Sequence, residues 1–316
     1  MTTSLPLKGL LRNQTFILFL TIAGFVLVVS LLSPHFLTLT NLVNILQQIA
    51  VVGIITVGTT IVILSGGLDI SVGTVISLSA CVTAVLVNKG ASLPLAVLAG
   101  FATAVLCQLL NGLIISITRC IPIIITLGMM SVYQGLALLV TGGYTHNMQG
   151  SFQFLGRGTV LPYVPVPVLV LVVMNVLAFL VLKYTKFGRR IYVLGANENA
   201  AFVSGVKIVG NKVLVYTVHG ITAGIAALVL VSRIGSAIAV MGTGYELRSI
   251  AAAVIGGVSI MGGEGTILGA FLGVTLLGLI SNALNILNVP SSFQNVTLGI
   301  VIVLAVIIST MGSKRK

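Results

Sequence analysis

Side chains able to do chemistry are few in this chain and stand apart. It holds four acids, three histidines (His35, His146, His219) and three cysteines (Cys81, Cys107, Cys120). None of the histidines has a carboxylate at metal-ligand spacing, and no Ser/His/Asp set or carboxylate pair is apparent. A phosphate-binding loop needs a Gly-rich run ending in Gly-Lys-Ser/Thr. The nearest string, Gly205 to Lys212, puts Asn211 between Gly210 and Lys212, with no hydroxyl after it. The chain is therefore expected to be no enzyme and to bind no metal or cofactor itself. The cysteines read as small packing residues.

Amides offer a different chemistry, because each both donates to and accepts from a hydroxyl. Asn111, Gln134 and Asn282 lie inside apolar runs, as do Asn44, Gln47, Gln48, Gln108, Asn175 and Asn285. They can grip the hydroxyls of a small polar solute or bond one helix to another. Asn111, Gln134 and Asn282 are the candidates for a substrate pathway. Asp69, Glu246 and Glu264 sit at turns beside apolar runs. Each is either a gating or contact residue or a helix-start charge favoured by the helix dipole.

The elements carrying these residues follow from composition. Only 6% of positions are charged and 57% are apolar, too few charges to cover a water-soluble surface. A bilayer core takes about 20 apolar residues per helix. Ten spans are predicted: 16–32, 42–64, 70–87, 93–117, 122–140, 163–182, 213–233, 249–261, 266–287 and 293–311. The eighth is short and Gly-rich, as a broken or re-entrant segment would be. The fold class is all-α, a polytopic membrane protein forming one domain over 1–316.

Placing both termini in the cytoplasm puts 12 of the 16 basic residues inside, a strong positive-inside bias. Those twelve include Lys183, Lys186, Arg189, Arg190, Lys207 and Lys212. The net charge of +12 is thus a topology signal; the basic residues follow no single face, and no nucleic-acid partner is expected. The largest inner segment runs from about 183 to 212. In it, Asn197 is a plausible N-cap with Glu198 at the positive helix end, and Gly205 can close the helix in the left-handed conformation. Two Gly-rich turns, Gly66 to Gly73 and Gly262 to Gly269, echo one another and hint at an internal repeat. The spacing of Gly265, Gly269 and Gly273 suits close helix packing.

Three stretches carry a family resemblance. Thr185 to Val206, with Gly188, Arg189, Tyr192, Gly195, Asn197, Glu198, Ala200, Ala201, Ser204 and Gly205, resembles the cytoplasmic coupling loop of ribose-type sugar permeases of ABC importers. Ser65-Gly66-Gly67-Leu68-Asp69-Ile70-Ser71-Val72-Gly73 resembles a second motif of that family. The run from Gly242 through Glu246 and Gly256-Gly257 to Gly262, Gly263 and Gly265 resembles a third. The likeness covers about 33–310. Departures are Arg248 where the family usually has Asp, Gln134 near the family's Arg position, and Ala196 where a second Gly is usual.

The resemblance implies a permease subunit of the bacterial inner membrane that passes ribose or a related monosaccharide into the cytoplasm. It also implies its partners: an ATPase subunit holding ATP and Mg, a periplasmic or lipid-anchored sugar-binding protein, and a second permease, equal or different. The ten coupling-loop residues would then contact the ATPase, with Ala200 and Ala201 supplying a small-residue docking face. The rival reading is an ion-gradient-driven carrier for a small polar solute. Such carriers place ionisable groups at mid-membrane, and the sequence shows none there.

Overall fold

A computed structural model describes residues 14–148, 150–161, 164–290, 292–294, 296–297, 299–301, 303–304 and 307. Helices α1 (Gln14–Leu32), α2 (Leu39–Leu64), α3 (Val72–Asn88), α4 (Leu93–Thr118) and α5 (Pro122–Thr141) come first. Then follow β1 (His146–Asn147), α6 (Phe154–Arg157), β2 (Thr159–Leu161), β3 (Val164–Pro165) and α7 (Val166–Tyr184). The rest is α8 (Lys186–Ala196), α9 (Glu198–Val203), α10 (Ile208–Ile234), β4 (Ser236–Ala237), α11 (Tyr245–Ile255) and α12 (Ile267–Ile286). The strands form two small antiparallel pairs, β1 with β4 and β2 with β3.

Among the described residues, seven helices are long and apolar enough to cross a membrane: α1, α2, α4, α5, α7, α10 and α12. Seven of the ten expected spans correspond to these helices. The third is α3, 17 residues long, and the eighth is α11, only 11 residues long. In the tenth, 293–311, the described residues 293–294, 296–297, 299–301, 303–304 and 307 are helical; both termini, and hence their expected cytoplasmic side, lie outside the described residues. Exposed leucines such as Leu98, Leu106 and Leu139 stud the outer helix faces, as lipid contact requires and water does not.

Two broken units explain the short helices. Helices α2 and α10 pack antiparallel at the centre, with Gly58 of α2 against His219 and Thr222 of α10. Each ends in a non-helical return, 65–71 after α2 and 235–244 after α10. Each return feeds a short helix, α3 or α11, whose N-terminus starts inside the bundle. These N-termini abut: the Ser77 hydroxyl accepts from Gly242 N at 2.8 Å, and a Cβ at Gly73 would strike the Glu246 carboxylate. From there the helices diverge. α3 leads to the end holding His146, which Asn88 contacts, and α11 leads to the opposite end, where Gly262 meets Gly66 and Gly195.

The repeat is therefore inverted, of the kind used by transporters. It corrects the pairing read from the sequence. The Gly66 and Gly262 turns do share one end of the molecule, but the counterpart of 65–88 is 235–255, running the other way. The two share no sequence motif, because what they share is a chain break flanked by glycines.

Candidate functional site

Non-helical backbone inside a membrane must be satisfied by protein, and the first return is fastened from three helices. Tyr216 of α10 donates to Leu68 O at 3.4 Å, and Ile70 N donates to Thr126 Oγ1 of α5 at 3.4 Å. Asp69, 1% exposed, is the hub. One of its oxygens accepts from Ser71 N at 2.7 Å and from the Ser71 hydroxyl at 2.6 Å. The other accepts from Gln108 Nε2 of α4 and lies 3.3 Å from His219 Nε2 of α10. His219 is close enough for charge attraction, yet it is not aligned for a hydrogen bond.

Asp69 stands at the start of α3, bonded to Ser71, but it is buried and also reaches α4 and α10. One expectation is corrected: the interior is not free of ionisable groups. His219 stands 150 positions after Asp69 in the chain, and the antiparallel packing of α2 on α10 brings them together. Periodicity carries no signal for such a pair. Glu246, also buried, accepts from Gly244 N at 3.0 and 3.1 Å and so opens α11. Glu264 is exposed, on the turn where Ser259 N donates to the Glu264 carbonyl.

The candidate pathway amides all make hydrogen bonds between elements of the chain. Asn111 donates to the Ser71 hydroxyl at 2.9 Å and accepts from Tyr133 at 2.9 Å. Gln134 donates to Ala239 O at 3.0 Å, satisfying the second return as Asn111 supports the first. Asn282 and Asn41 exchange both amide bonds, at 2.8 and 3.0 Å, and so tie α12 to α2. Cys81 and Cys107 are buried packing residues as expected, while Cys120 is exposed.

The second cluster lies at the Gly195 end. Thr185 caps α8 by accepting from Gly188 N at 3.2 Å. Gly188, Ile191 and Leu194 turn inward, and Arg189 stays on the surface. A side chain at Gly188 would strike Leu182 O, and one at Gly195 would strike Leu64 O and Gly263 N. That close approach lets Gly263 N donate to Leu64 O at 3.0 Å. The Tyr192 hydroxyl donates to Gly265 O at 3.0 Å, and partial burial pushes its pKa above the ordinary value. Helix α8 is thus keyed both to the end of α2 and to the turn before α12.

Asn197 Oδ1 accepts from Ala200 N at 2.9 Å and starts α9, while Glu198 pairs with Lys212 at 2.7 Å. Ser204 forms the C-cap, and Gly205 follows at φ +77°. These are the cap and stop expected from sequence. The two alanines separate, however. Ala200 is on the surface, but Ala201 is fully buried within the chain, so it offers no docking face. The exposed side chains of α9 include Phe202 and Val203, at 70% and 86% exposure. Two adjacent bare apolar residues on a polar surface segment were legible in the sequence and were passed over. Among the described residues no three His, Cys, Asp or Glu side chains gather as a metal site.

A cavity of about 210 Å³ opens toward the other end of the bundle. Gln48, Arg233, Tyr245, Arg248, Ser281 and Asn285 are among its lining residues. Gln48 and Asn285 stand in the amide set read from sequence; the arginines and Tyr245 were not singled out.

Residues 41–306 match the family model described as branched-chain amino acid transport system / permease component. The chain is 41% identical to the ribose import permease protein RbsC of Bacillus subtilis (strain 168), covering 92% of this chain and 91% of that one. It is 39% identical to the protein of the same name from Escherichia coli (strain K12), covering 89% of each. Identity to the D-allose transport system permease protein AlsC of Escherichia coli (strain K12) is 35%, over 94% of this chain and 91% of that one. No solved structure matches. With an inverted pair of broken helices and a capped surface helix keyed to their ends, the chain belongs to this family of transport-system permease components.

Proposed function

We propose that this chain is the membrane-spanning subunit of an ATP-driven importer for a small sugar, ribose or a related monosaccharide. What carries the reading is α9. It is short, capped at both ends, presents Phe202 and Val203 bare, and is joined through α8 to the ends of α2 and α12. A separate ATPase that holds ATP and Mg would cover those side chains and move α8 and α9 as one piece. The basic residues around 183–212 support a reading in which this end faces the cytoplasm, with the chain in the bacterial inner membrane. A sugar-binding protein would deliver the substrate at the opposite end, and a second permease copy, alike or different, would complete the pathway.

The test is uptake of radiolabelled ribose in cells with and without the ATPase partner, for wild type and for Phe202→Asp/Val203→Asp. The double variant should insert normally, since these residues lie outside the apolar helices, and should lose uptake and sugar-stimulated ATP hydrolysis. One observation favours a second reading. The buried Asp69–His219 pair is the kind of ionisable group an ion-driven carrier uses. Uptake that persists without any ATPase and collapses when the proton gradient is dissipated would select that carrier.

A further inference from the structure

The cavity away from α9 carries charge that the bracing networks do not use. From Leu64, at the α8 end, Gln48 is 16 residues back along α2, about 24 Å; Arg233 closes α10 beside β4. The cavity therefore lies in the half of the bundle far from the coupling helix. Arg233 Nη1 donates to Gln47 O at 3.0 Å, which fixes that guanidinium at the wall. Arg248 lies over the Tyr245 ring at 6.0 Å. Among the described residues, neither arginine forms an ion pair with a carboxylate. Among the described residues no acid lines the cavity; Ser281, Asn285 and Gln48 add neutral polar groups.

We propose that this cavity is the entry subsite for the transported sugar, and that Arg233 and Arg248 select for electronegative, oxygen-rich solutes. Neutral and acidic monosaccharides fit, and protonated amino sugars are turned away. The volume is below the ~300–1,000 Å³ of sites for drug-sized ligands and suits one monosaccharide. Guanidinium groups have no acceptor and up to five donors, so they meet sugar hydroxyls and carboxylates but not ammonium groups. Tyr245 supplies an apolar ring face at the start of α11, whose own N-terminal dipole is met by Glu246. A cleft lined by one sign of charge changes local concentration and encounter rates by about 10–10³-fold. The inference rests on the reading of this chain as a sugar permease, but it does not depend on the energy source.

The experiment uses the full-length permease in membrane vesicles without ATPase or ATP, with Cys120→Ser as background because the other cysteines are buried. Ser281→Cys and, as a second probe, Asn285→Cys are reacted with an anionic and a cationic methanethiosulfonate of similar size. The expected result is a rate ratio of about 10 or more for the anionic reagent after correction for intrinsic reactivity. Arg233→Gln/Arg248→Gln should abolish that preference. Millimolar D-ribose and D-glucuronate should slow the reaction and D-glucosamine should not. Equal rates for the two reagents, no reaction at either thiol, or equal protection by glucosamine would each overturn the proposal. Uptake without an ATPase would instead defeat the importer reading and leave these rates unchanged.

Discussion

Replacing Asp69 by alanine strips three donors of their acceptor in the interior, Ser71 N, the Ser71 hydroxyl and Gln108 Nε2, and removes the carboxylate that lies 3.3 Å from His219 Nε2. Each buried donor left without its acceptor costs about 1–3 kcal/mol, so losing three exceeds about 3 kcal/mol. A surface helix-start charge would cost about 0.3–1 kcal/mol, so the two roles differ by several-fold. Asp69→Asn is the finer probe. If its carbonyl keeps the two Ser71 bonds, its NH2 faces the donor group of Gln108. Turning the Gln108 amide to meet it sets Gln108 NH2 against Asn111 Nδ2, which now donates to Gln108 Oε1 at 3.3 Å. One hydrogen bond is lost either way, together with the charge, for about 1.5–3 kcal/mol. His219→Ala leaves Asp69 with its three donors and should cost less than Asp69→Ala. The Asp69→Ala/His219→Ala double variant should destabilise by less than the sum of the two, since they share the interaction.

The measurement is chemical unfolding of the purified permease in mixed micelles, with ribose uptake in cells beside it. An Asp69→Ala midpoint within about 1 kcal/mol of wild type, or strict additivity with His219→Ala, would refute the brace. Uptake by Asp69→Asn at normal surface expression then separates roles. Normal uptake makes the hub structural, and lost uptake with retained stability makes it part of the moving pathway.

Other consequences are as direct. Tyr192→Phe should cost about 0.5–1.5 kcal/mol from the lost bond to Gly265 O, seen in the same unfolding curves, and should lower uptake by loosening α8. Gly195→Ala should be worse, since its Cβ meets backbone and not a movable side chain; expression and uptake should both fall. Ala200→Arg should insert normally but weaken ATPase binding in a pull-down. Ala201→Arg should reduce folded protein outright because that site is sealed. Cysteines at Gly150 and Ala200 should label from opposite sides of the membrane, and labelling of both from one side would sink the topology.

The parts legible in the sequence are those set by one-dimensional signals. Apolar length located most spans to within a few residues, and Asn197 and Gly205 announced the ends of α9 through side-chain acceptance and positive φ. The eighth span betrayed itself by length and glycine. Long-range pairing was not legible. Neither Asp69 with His219 nor Asn41 with Asn282 has a periodic relation. A 17-residue apolar run reads as a thin span whether it starts at the surface or, like α3, inside the bundle. Helix α8 was legible in the buried Ile191 and Leu194 set against the outward Lys186, Arg189 and Arg190, but its charges read as a topology signal alone. Ala201 was misread because alanine suits a dry interior and a docking face equally; only its partners decide.

The geometry offers a route by which a movement at α9 would reach mid-membrane. Helix α8 touches the end of α2 through Gly195 and the turn before α12 through Tyr192. The return that reaches Asp69 starts at that same contact, only a few residues away. Its bonds come from α4, α5 and α10, so shifting Leu64 relative to those helices strains Asp69 before anything else. On the importer reading, closure of the ATPase would thus be transmitted to the facing N-termini of α3 and α11, where Glu246 packs on Gly73. A Cβ at Gly73 has no room beside that carboxylate. Gly73→Ala should therefore block uptake while leaving the α9 surface able to bind the ATPase. Bound ATPase with silent uptake is the outcome to measure. Uptake by Gly73→Ala at wild-type rate would show that the two helix ends need not stay in contact during transport.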